Sequence, residues 1–514
     1  MIFGFLSQSS KTRAVAAMVS VAQTELIGQA SCVVSGDGVA EVVAAARREL
    51  VGFREAFYGC LPARADELFE LTDALLCSQG PVRSLVDLSL APEHRRGHGG
   101  LYDGLSHGSV EIARLRRALS GLSLPRMNGH IVLAVDVSPW LRPEAVTCPE
   151  RLFCHVHGRA KNAAQMIPGW PYSMVVALQS GRTSWTAVLD AVRLGPSDDE
   201  TAVTAQQLRD VVDRLRAGGQ WRQGDPDIVI VMDSGYDVTR LAFVLGDLPL
   251  QLIGRLRSDR VLLRPAPEHP GRQSRPVGRP VRHGPVLVLA DPGTWPAPDQ
   301  TTSTTTTRYG TAVATAWTRL HPRLTHRGSW LSHEGVLPII EGTLIRLQVD
   351  HLPGDRTPKP LWLWSSDPTI TTQQLDRAWQ SFLRRFDIEH TFRFLKQVLG
   401  WTTPKIRDPA AADRWTWLII TAHTQLRLAR DLTTDLRRPW ERPCPPGRLT
   451  PARVRRGFRY LRPKIGLPAS APKPSRPGPG RPPGIPNQHR TPHHDVGKTV
   501  KRDLTLQTHA NAKG

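Results

Sequence analysis

Apolar residues change their period twice along this chain, and the changes divide it. From Val39 to Tyr58 and from Ala65 to Leu76 they recur every three or four residues among Ala, Arg and Glu, the spacing of amphipathic helices. A third such pattern runs from Ser109 to Leu122, after a stretch rich in Gly and His, His94 to Gly100, that reads as a loop. The period then shortens. Ile131–Val135 and Ile228–Met232 are continuous apolar runs, each followed at once by an aspartate, Asp136 and Asp233. They read as buried strands with an acid at the end. Met174–Leu178, Trp185–Leu194 and Leu250–Leu256 read as further strands, and Ala205–Ala217 and Val238–Leu245 as helices. Strands alternating with helices imply an α/β sheet.

Between residues 258 and 371 the composition turns to Pro, Gly and Arg, with a Thr-rich patch at 301–307. Short alternating runs follow at Tyr309–Leu320, Leu344–Val349 and Leu361–Trp364, which predict a β-rich insertion. Helices resume at 372. The stretch from Trp379 to Lys396 holds neither Pro nor Gly and reads as one helix, and Ala410–Leu432 reads as another. From Arg437 onward Pro, Arg and Lys dominate, which predicts a basic disordered tail. The expected organisation is a helical N-terminal domain over 1–125, an α/β core over 126–257 and 372–436, an insertion domain over 258–371 and a tail over 437–514. No internal repeat is visible.

Charge narrows the partners. A net charge of +21 and a pI near 10.5 favour a polyanion, nucleic acid before an anionic membrane surface. No apolar run approaches a membrane span. The segment Met1 to Val21 lacks the charge-then-apolar order of a secretory signal, and Met18 serves equally well as a start. Six scattered cysteines suit reduced thiols in a cytoplasm better than a disulfide framework. Cys148, Cys154, His155 and His157 fit no common zinc spacing. Gly278-Arg279-Pro280 and Gly480-Arg481-Pro482 resemble minor-groove hooks but are equally short pieces of solvated linker.

Three acids carry the candidate chemistry. Asp136 and Asp233 follow apolar strands, and ligand sites in α/β sheets gather at the carboxyl ends of strands. Glu389 lies on the 379–396 helix, with Phe382 seven residues before it, Arg385 four before and Lys396 seven after, so all four share one side. The rest of that helix is apolar, and a buried carboxylate is costly unless it is paired or coordinates something. The plain alternatives are a structural Arg385–Glu389 ion pair and turn-starting roles for the aspartates, such as Asp225, Asp227 and Asp237 are expected to have. Three carboxylates without His or Cys suit a hard cation such as Mg²⁺. Two such ions, roughly 4 Å apart, activate an attacking oxygen and stabilise the leaving oxygen of a phosphodiester. Arg385 and Lys396 would then face a phosphate, and the net charge points to DNA as its source.

In these residues the chain resembles the DDE transposases of bacterial insertion sequences. One large group of them carries a box read Y-x2-R-x3-E-x6-K. The present sequence has Phe382, Arg385, Glu389 and Lys396 at that spacing, with Phe in place of Tyr. The segment Asp233-Ser-Gly-Tyr236 and the β-rich stretch before Glu389 extend the resemblance over roughly residues 125–435. It implies an RNase H-like core with the insertion after its fifth strand, and Asp136, Asp233 and Glu389 holding two Mg²⁺ ions, or Mn²⁺ in their place. The implied reaction is cleavage at transposon ends, then attack of the freed 3′ hydroxyl on target DNA. Implied partners are double-stranded DNA, as terminal inverted repeats and target, and a second copy of the chain in a synaptic complex. The N-terminal helices would recognise the repeats, in a bacterial, nucleoid-associated setting. Phe382, Arg385 and Lys396 would contact DNA. Trp362 and Trp364 fall where relatives hold a flipped base during hairpin formation, although Trp-Leu-Trp also describes a strand with one packed face. Two other readings stand beside this one: a DNA-binding protein that has lost catalysis, and a metal-dependent nuclease that cuts without joining.

Overall fold

A computed structural model describes residues 36–156, 165–181, 183–267, 281–306, 310–331, 333–351, 358–445, 447–473, 484 and 491–498. The described residues open with five helices: α1 (Gly36–Tyr58), α2 (Ala65–Cys77), α3 (Leu85–Ser89), α4 (Gly97–His107) and α5 (Ile112–Ser120). Then come β1 (Val132–Leu141), β2 (Leu152–Val156), β3 (Gln165–Leu178), β4 (Thr186–Arg193), α6 (Glu200–Ala217), β5 (Ile228–Met232), α7 (Val238–Val244) and β6 (Leu250–Leu256). Among the described residues the next stretch holds strands and short turns: β7 (Val261–Pro265), β8 (His283–Val288), β9 (Gln300–Thr306), β10 (Gly310–Leu320), β11 (Gly342–Val349) and β12 (Leu361–Ser365). Four helices follow: α8 (Thr372–Leu383), α9 (Phe386–Gln397), α10 (Pro409–Leu428) and α11 (Pro451–Leu461).

The strands build one ten-stranded mixed sheet in the order β2-β3-β1-β5-β6-β12-β11-β10-β9, with β4 also on β3. β1, β5 and β6 run parallel, while β3 pairs antiparallel with β1. β3 is long enough to hold β2 along Gln165–Gly169 and β4 along Tyr172–Leu178. β12 pairs antiparallel with β6, so β9 to β12 continue the same sheet, while β7 and β8 form a hairpin of their own. This is a large mixed sheet flanked by helices, consistent with an RNase H-like core. The continuous apolar runs are explained by burial of both faces. Leu133, Val135 and Met232 pack with Leu208, Val211 and Leu215 of α6, while Val132, Ala134 and Val231 face Trp379, Phe382 and Leu395 on the other side.

Several expectations change. β1 does not end at Val135 but runs on to Leu141, so Asp136 lies mid-strand. Pro139 hides the continuation in the sequence, since proline removes a ladder donor. It is tolerated because Pro139 stands opposite Pro171 on one side, and on the other the pairing with β5 stops at Val135. The expected His94–Gly100 loop instead runs into α4, whose Leu101 and Leu105 bury against the N-terminal core. The Thr-rich patch forms β9, as suits β-branched residues on a sheet edge.

The largest departure is the tail. Part of it folds: Val454, Phe458 and Leu461 sit one helical turn apart and bury one face of α11. Gly457 permits the close approach, since a Cβ there would stand 2.1 Å from Thr433 Cγ2. Arg455, buried, donates to the carbonyl of Leu75 at 2.8 Å, and Arg95 and Arg96 donate to the carbonyl of Ser470 at 2.9 and 2.7 Å. Farther on, the Gly497 amide donates to Arg151 O at 2.8 Å and lays the chain along the edge strand β2. Composition misleads here because these arginines cap backbone carbonyls inside the protein. The two Gly-Arg-Pro hooks, residues 1–35 and the tail beyond 498 lie outside the described residues.

Phe458 tests whether this segment is part of the fold. Phe458→Ala is expected to lower stability by about 3–4 kcal/mol, as for other buried Phe truncations. Urea unfolding measures it, and an unchanged midpoint would show that the segment is not anchored through α11.

Candidate active site

Strand register gathers the acids. Val135 pairs beside Met232, and Met232 beside Gly254, so Asp136, Asp233 and Arg255 are the next residues on three neighbouring parallel strands. Side chains alternate across a sheet. Val135 and Met232 point toward α6, which turns Asp136 and Asp233 toward α8 and α9. Past Asp233 the chain turns. Asp237 caps α7 by accepting from the Arg240 amide at 3.0 Å, and Asp225 accepts from the Arg222 amide at 2.9 Å, the turn and cap roles expected of both.

The expected single helix from Trp379 to Lys396 is two. At the join, amides reach back three residues rather than four: Arg385 to Phe382 at 3.0 Å, Asp387 to Arg384 at 3.0 Å and Ile388 to Arg385 at 3.1 Å. Such a 3₁₀ joint needs a cause when neither Pro nor Gly is present. Two adjacent buried arginines supply it. Arg384 donates to the carbonyls of Gln179 at 2.9 Å and Gly181 at 2.6 Å and pairs with Asp387, while Arg385 turns to the acids.

Arg385 is the centre of the site. Its side chain is 2% exposed. Nη1 donates to Asp136 Oδ2 at 3.1 Å, Nη2 donates to Glu389 Oε1 at 3.1 Å, and Nη2 stands 3.6 Å from Asp233 Oδ2. Asp233 and Glu389 therefore share a single nitrogen. The guanidinium lies over the Phe386 ring at 4.8 Å and the Phe382 ring at 6.0 Å, so Phe382 serves as a buried floor. Arg255 stands 3.6 Å from Asp233 Oδ1, and that oxygen is buried without a hydrogen-bond donor.

The electrostatics follow from burial set against Arg385. Burial raises Asp136 above the ordinary carboxylate range, against the pull of Arg385. Burial also pushes on Asp233, but Arg385 and Arg255 together outweigh it and hold this acid low. Glu389 is pushed up to about 7, by burial first, with Arg385 opposing and the two aspartates adding. Lys396 is drawn down to about 8 by burial. It does not meet the acids. Its Nζ donates to the Pro139 carbonyl at 2.9 Å, on the β1 segment that has no β5 partner.

Other candidates lie elsewhere. Trp362 and Trp364 are 2% and 0% exposed. Trp362 packs on Trp295 at 5.3 Å and Trp317 at 6.1 Å, and Trp364 donates to Leu320 O at 3.4 Å, so neither ring offers a face to a base. Cys148 and Cys154 are buried, and His157 lies outside the described residues. Arg255 was not foreseen. Its strand is legible as Leu250–Leu256, but the parallel register that sets it beside Asp233 leaves no periodic trace in the sequence.

The donor set suits a divalent cation: carboxylate oxygens alone, one of them buried and unbonded. Among the described residues no three or more His, Cys, Asp or Glu side chains are arranged to hold a metal ion, since these three close on Arg385 instead. Comparison with protein families then places the chain. The model of the DDE superfamily endonucleases matches residues 56–323, more than half of the sequence, and the chain belongs to that family. The match includes Asp136 and Asp233 and ends before Glu389. Comparison with curated proteins finds no match. Membership supports nuclease- or transposase-type activity on DNA, for which DDE domains generally use divalent metals. Among the described residues no helix is long and apolar enough to cross a membrane.

Glu389 sets a pH signature. The folded protein keeps its proton up to about 7, whereas the ordinary value is 4.5. Folding thus binds a proton between these values, so this group's contribution is full below 4.5 and is lost as pH rises toward about 7. Glu389→Gln removes the dependence. Its stability relative to wild type is expected to improve across that window by on the order of 1–3 kcal/mol. Urea midpoints at pH 5 and pH 8 measure this, and parallel profiles would refute it.

Proposed function

We propose that this chain is a DDE transposase that cuts DNA at the ends of a mobile element and joins the freed 3′ ends to target DNA. The observation that carries the reading is the meeting of Asp136, Asp233 and Glu389, far apart in sequence, around one buried guanidinium where the parallel pairing of β1 with β5 ends. An ordinary ion pair has one acid, and three half-buried carboxylates at one point repel strongly. Such an arrangement costs stability and is the kind kept at functional sites.

Asp136, Asp233 and Glu389 would hold two Mg²⁺ ions, or Mn²⁺ in their place. Bound there, the ions supply Lewis-acid stabilisation and an activated oxygen nucleophile. Asp136 and Asp233 come from paired strands, which fix their positions. Glu389 comes from α9, whose Ile388 and Leu395 are buried in the core, so it too is held from behind. Arg385 presents a planar fork suited to a phosphate, and Phe382 and Phe386 support it from below. Lys396 secures the β1 extension and places positive charge under the site. Trp362 and Trp364, being buried, take no part. The net charge of +21 draws DNA, with binding that weakens steeply as salt rises. The helices within residues 1–125 are proposed to recognise terminal inverted repeats, residues 258–371 to form the insertion, and two copies to pair the ends in a bacterial, nucleoid-associated complex.

Asp136→Asn, Asp233→Asn and Glu389→Gln are each expected to slow DNA cleavage by about a thousandfold or more, as loss of several kcal/mol of charge stabilisation requires. DNA binding by gel shift should stay within a few-fold. A variant that cuts at the normal rate overturns the role of its residue. A pre-cut 3′ end that the wild-type protein never joins to target DNA would make the chain a nuclease instead.

A further inference from the structure

The three acids already have a cation. Arg385 reaches all of them, through Asp136 Oδ2, Asp233 Oδ2 and Glu389 Oε1. The other bases nearby do not: Arg255 touches Asp233 alone, and the Lys396 ammonium donates to a backbone carbonyl. Those three oxygens are also the ones a divalent ion would use. A guanidinium N–H and a metal cannot share one lone pair, and their positive charges repel at short range. The side chain is also held in a way that lets it yield. Its Nε is buried without an acceptor, so the hydrogen bonds that hold it run through the two Nη groups, over the phenyl rings. It stands at the 3₁₀ joint between α8 and α9, where the helical ladder is already interrupted.

We propose that Arg385 is a built-in competitor for metal: it neutralises Asp136, Asp233 and Glu389 until divalent cations enter, and gives up their oxygens when they do. This rests on the reading of these acids as metal ligands. Arg385 is then a positioning residue with two states, holding the carboxylates together in one and free to turn its fork to a phosphate in the other. The sign of its effect is opposite to that of a supporting residue. Removing it leaves three facing carboxylates with Arg255 at Asp233 as their remaining close base, a repulsion that a bound cation relieves. Metal affinity therefore rises even as DNA cleavage falls.

The test titrates Mn²⁺ into the full chain by calorimetry, for wild type, Arg385→Met, Arg385→Gln and Asp136→Asn, with circular dichroism to confirm folding. Arg385→Met is expected to bind Mn²⁺ about tenfold more tightly than wild type, with a larger rise in melting temperature on adding Mn²⁺. Arg385→Gln keeps hydrogen bonding without the charge and should move the same way. Equal or weaker Mn²⁺ binding by folded Met and Gln variants overturns the proposal. Asp136→Asn separates the two readings. If it loses Mn²⁺ while the Arg385 variants gain none, only the competitor role fails. If it binds Mn²⁺ as the wild type does, the acids are not metal ligands and the catalytic reading fails with them.

Discussion

Gathering three negative charges in a half-buried corner is the constraint to which the surrounding structure answers. Carboxylates brought this close repel, and burial worsens the penalty by removing water. Arg385 resolves it with one planar group, forked so that two nitrogens serve three acids. That solution requires the arginine to be fixed from behind, which Phe382 and Phe386 do, and to emerge from the backbone where a regular helix would not aim it. The break between α8 and α9 follows from that demand. Arg384 anchors the opposite side of the same turn through the Gln179 and Gly181 carbonyls. The parallel register of β1, β5 and β6 completes the corner by putting Asp136 and Asp233 side by side.

How much of this can be read from residues alone depends on the range of the interaction. β5 is legible to the residue, because a run buried on both faces is continuously apolar. The acids are legible as candidates for the same reason, since each interrupts such a pattern. The extension of β1 is not, because Pro139 looks like an ending unless its partner Pro171 is known. Arg255 is hidden because register between parallel strands is set by the connecting helices and leaves no local mark. The tryptophans of β12 show the reverse error. The family resemblance implies a platform there, but strand alternation also suits burial, and a third and fourth ring, Trp295 from the turn before β9 and Trp317 from β10, cover Trp362.

Excess positive charge carries a similar lesson. Much of it serves structure before it serves any polyanion. Arg54 and Arg462 both hold the buried Asp73, at 2.7 and 3.2 Å, and Arg95 and Arg96 hold Glu70. Arg455 and Arg151 donate to the backbone carbonyls of Leu75 and His494 at 2.8 and 2.9 Å. A guanidinium keeps its charge at depth and offers several donors, so an arginine-rich composition describes an interior as readily as a surface.

The attachment of α11 and residues 462–470 to the first helices has an outcome for synthesis. Proteins emerge from the ribosome N-terminus first. Here α2 has Asp73 and the Leu75 carbonyl waiting for Arg462 and Arg455. The opening helices therefore reach their final packing only after nearly the whole polypeptide has been made. A chain released early, even one already containing Asp136, Asp233 and Glu389, would leave the ribosome with Asp73 held by Arg54 alone and the Leu75 carbonyl without its Arg455 donor, so that the amino-terminal helices are completed from the far side of the catalytic segment.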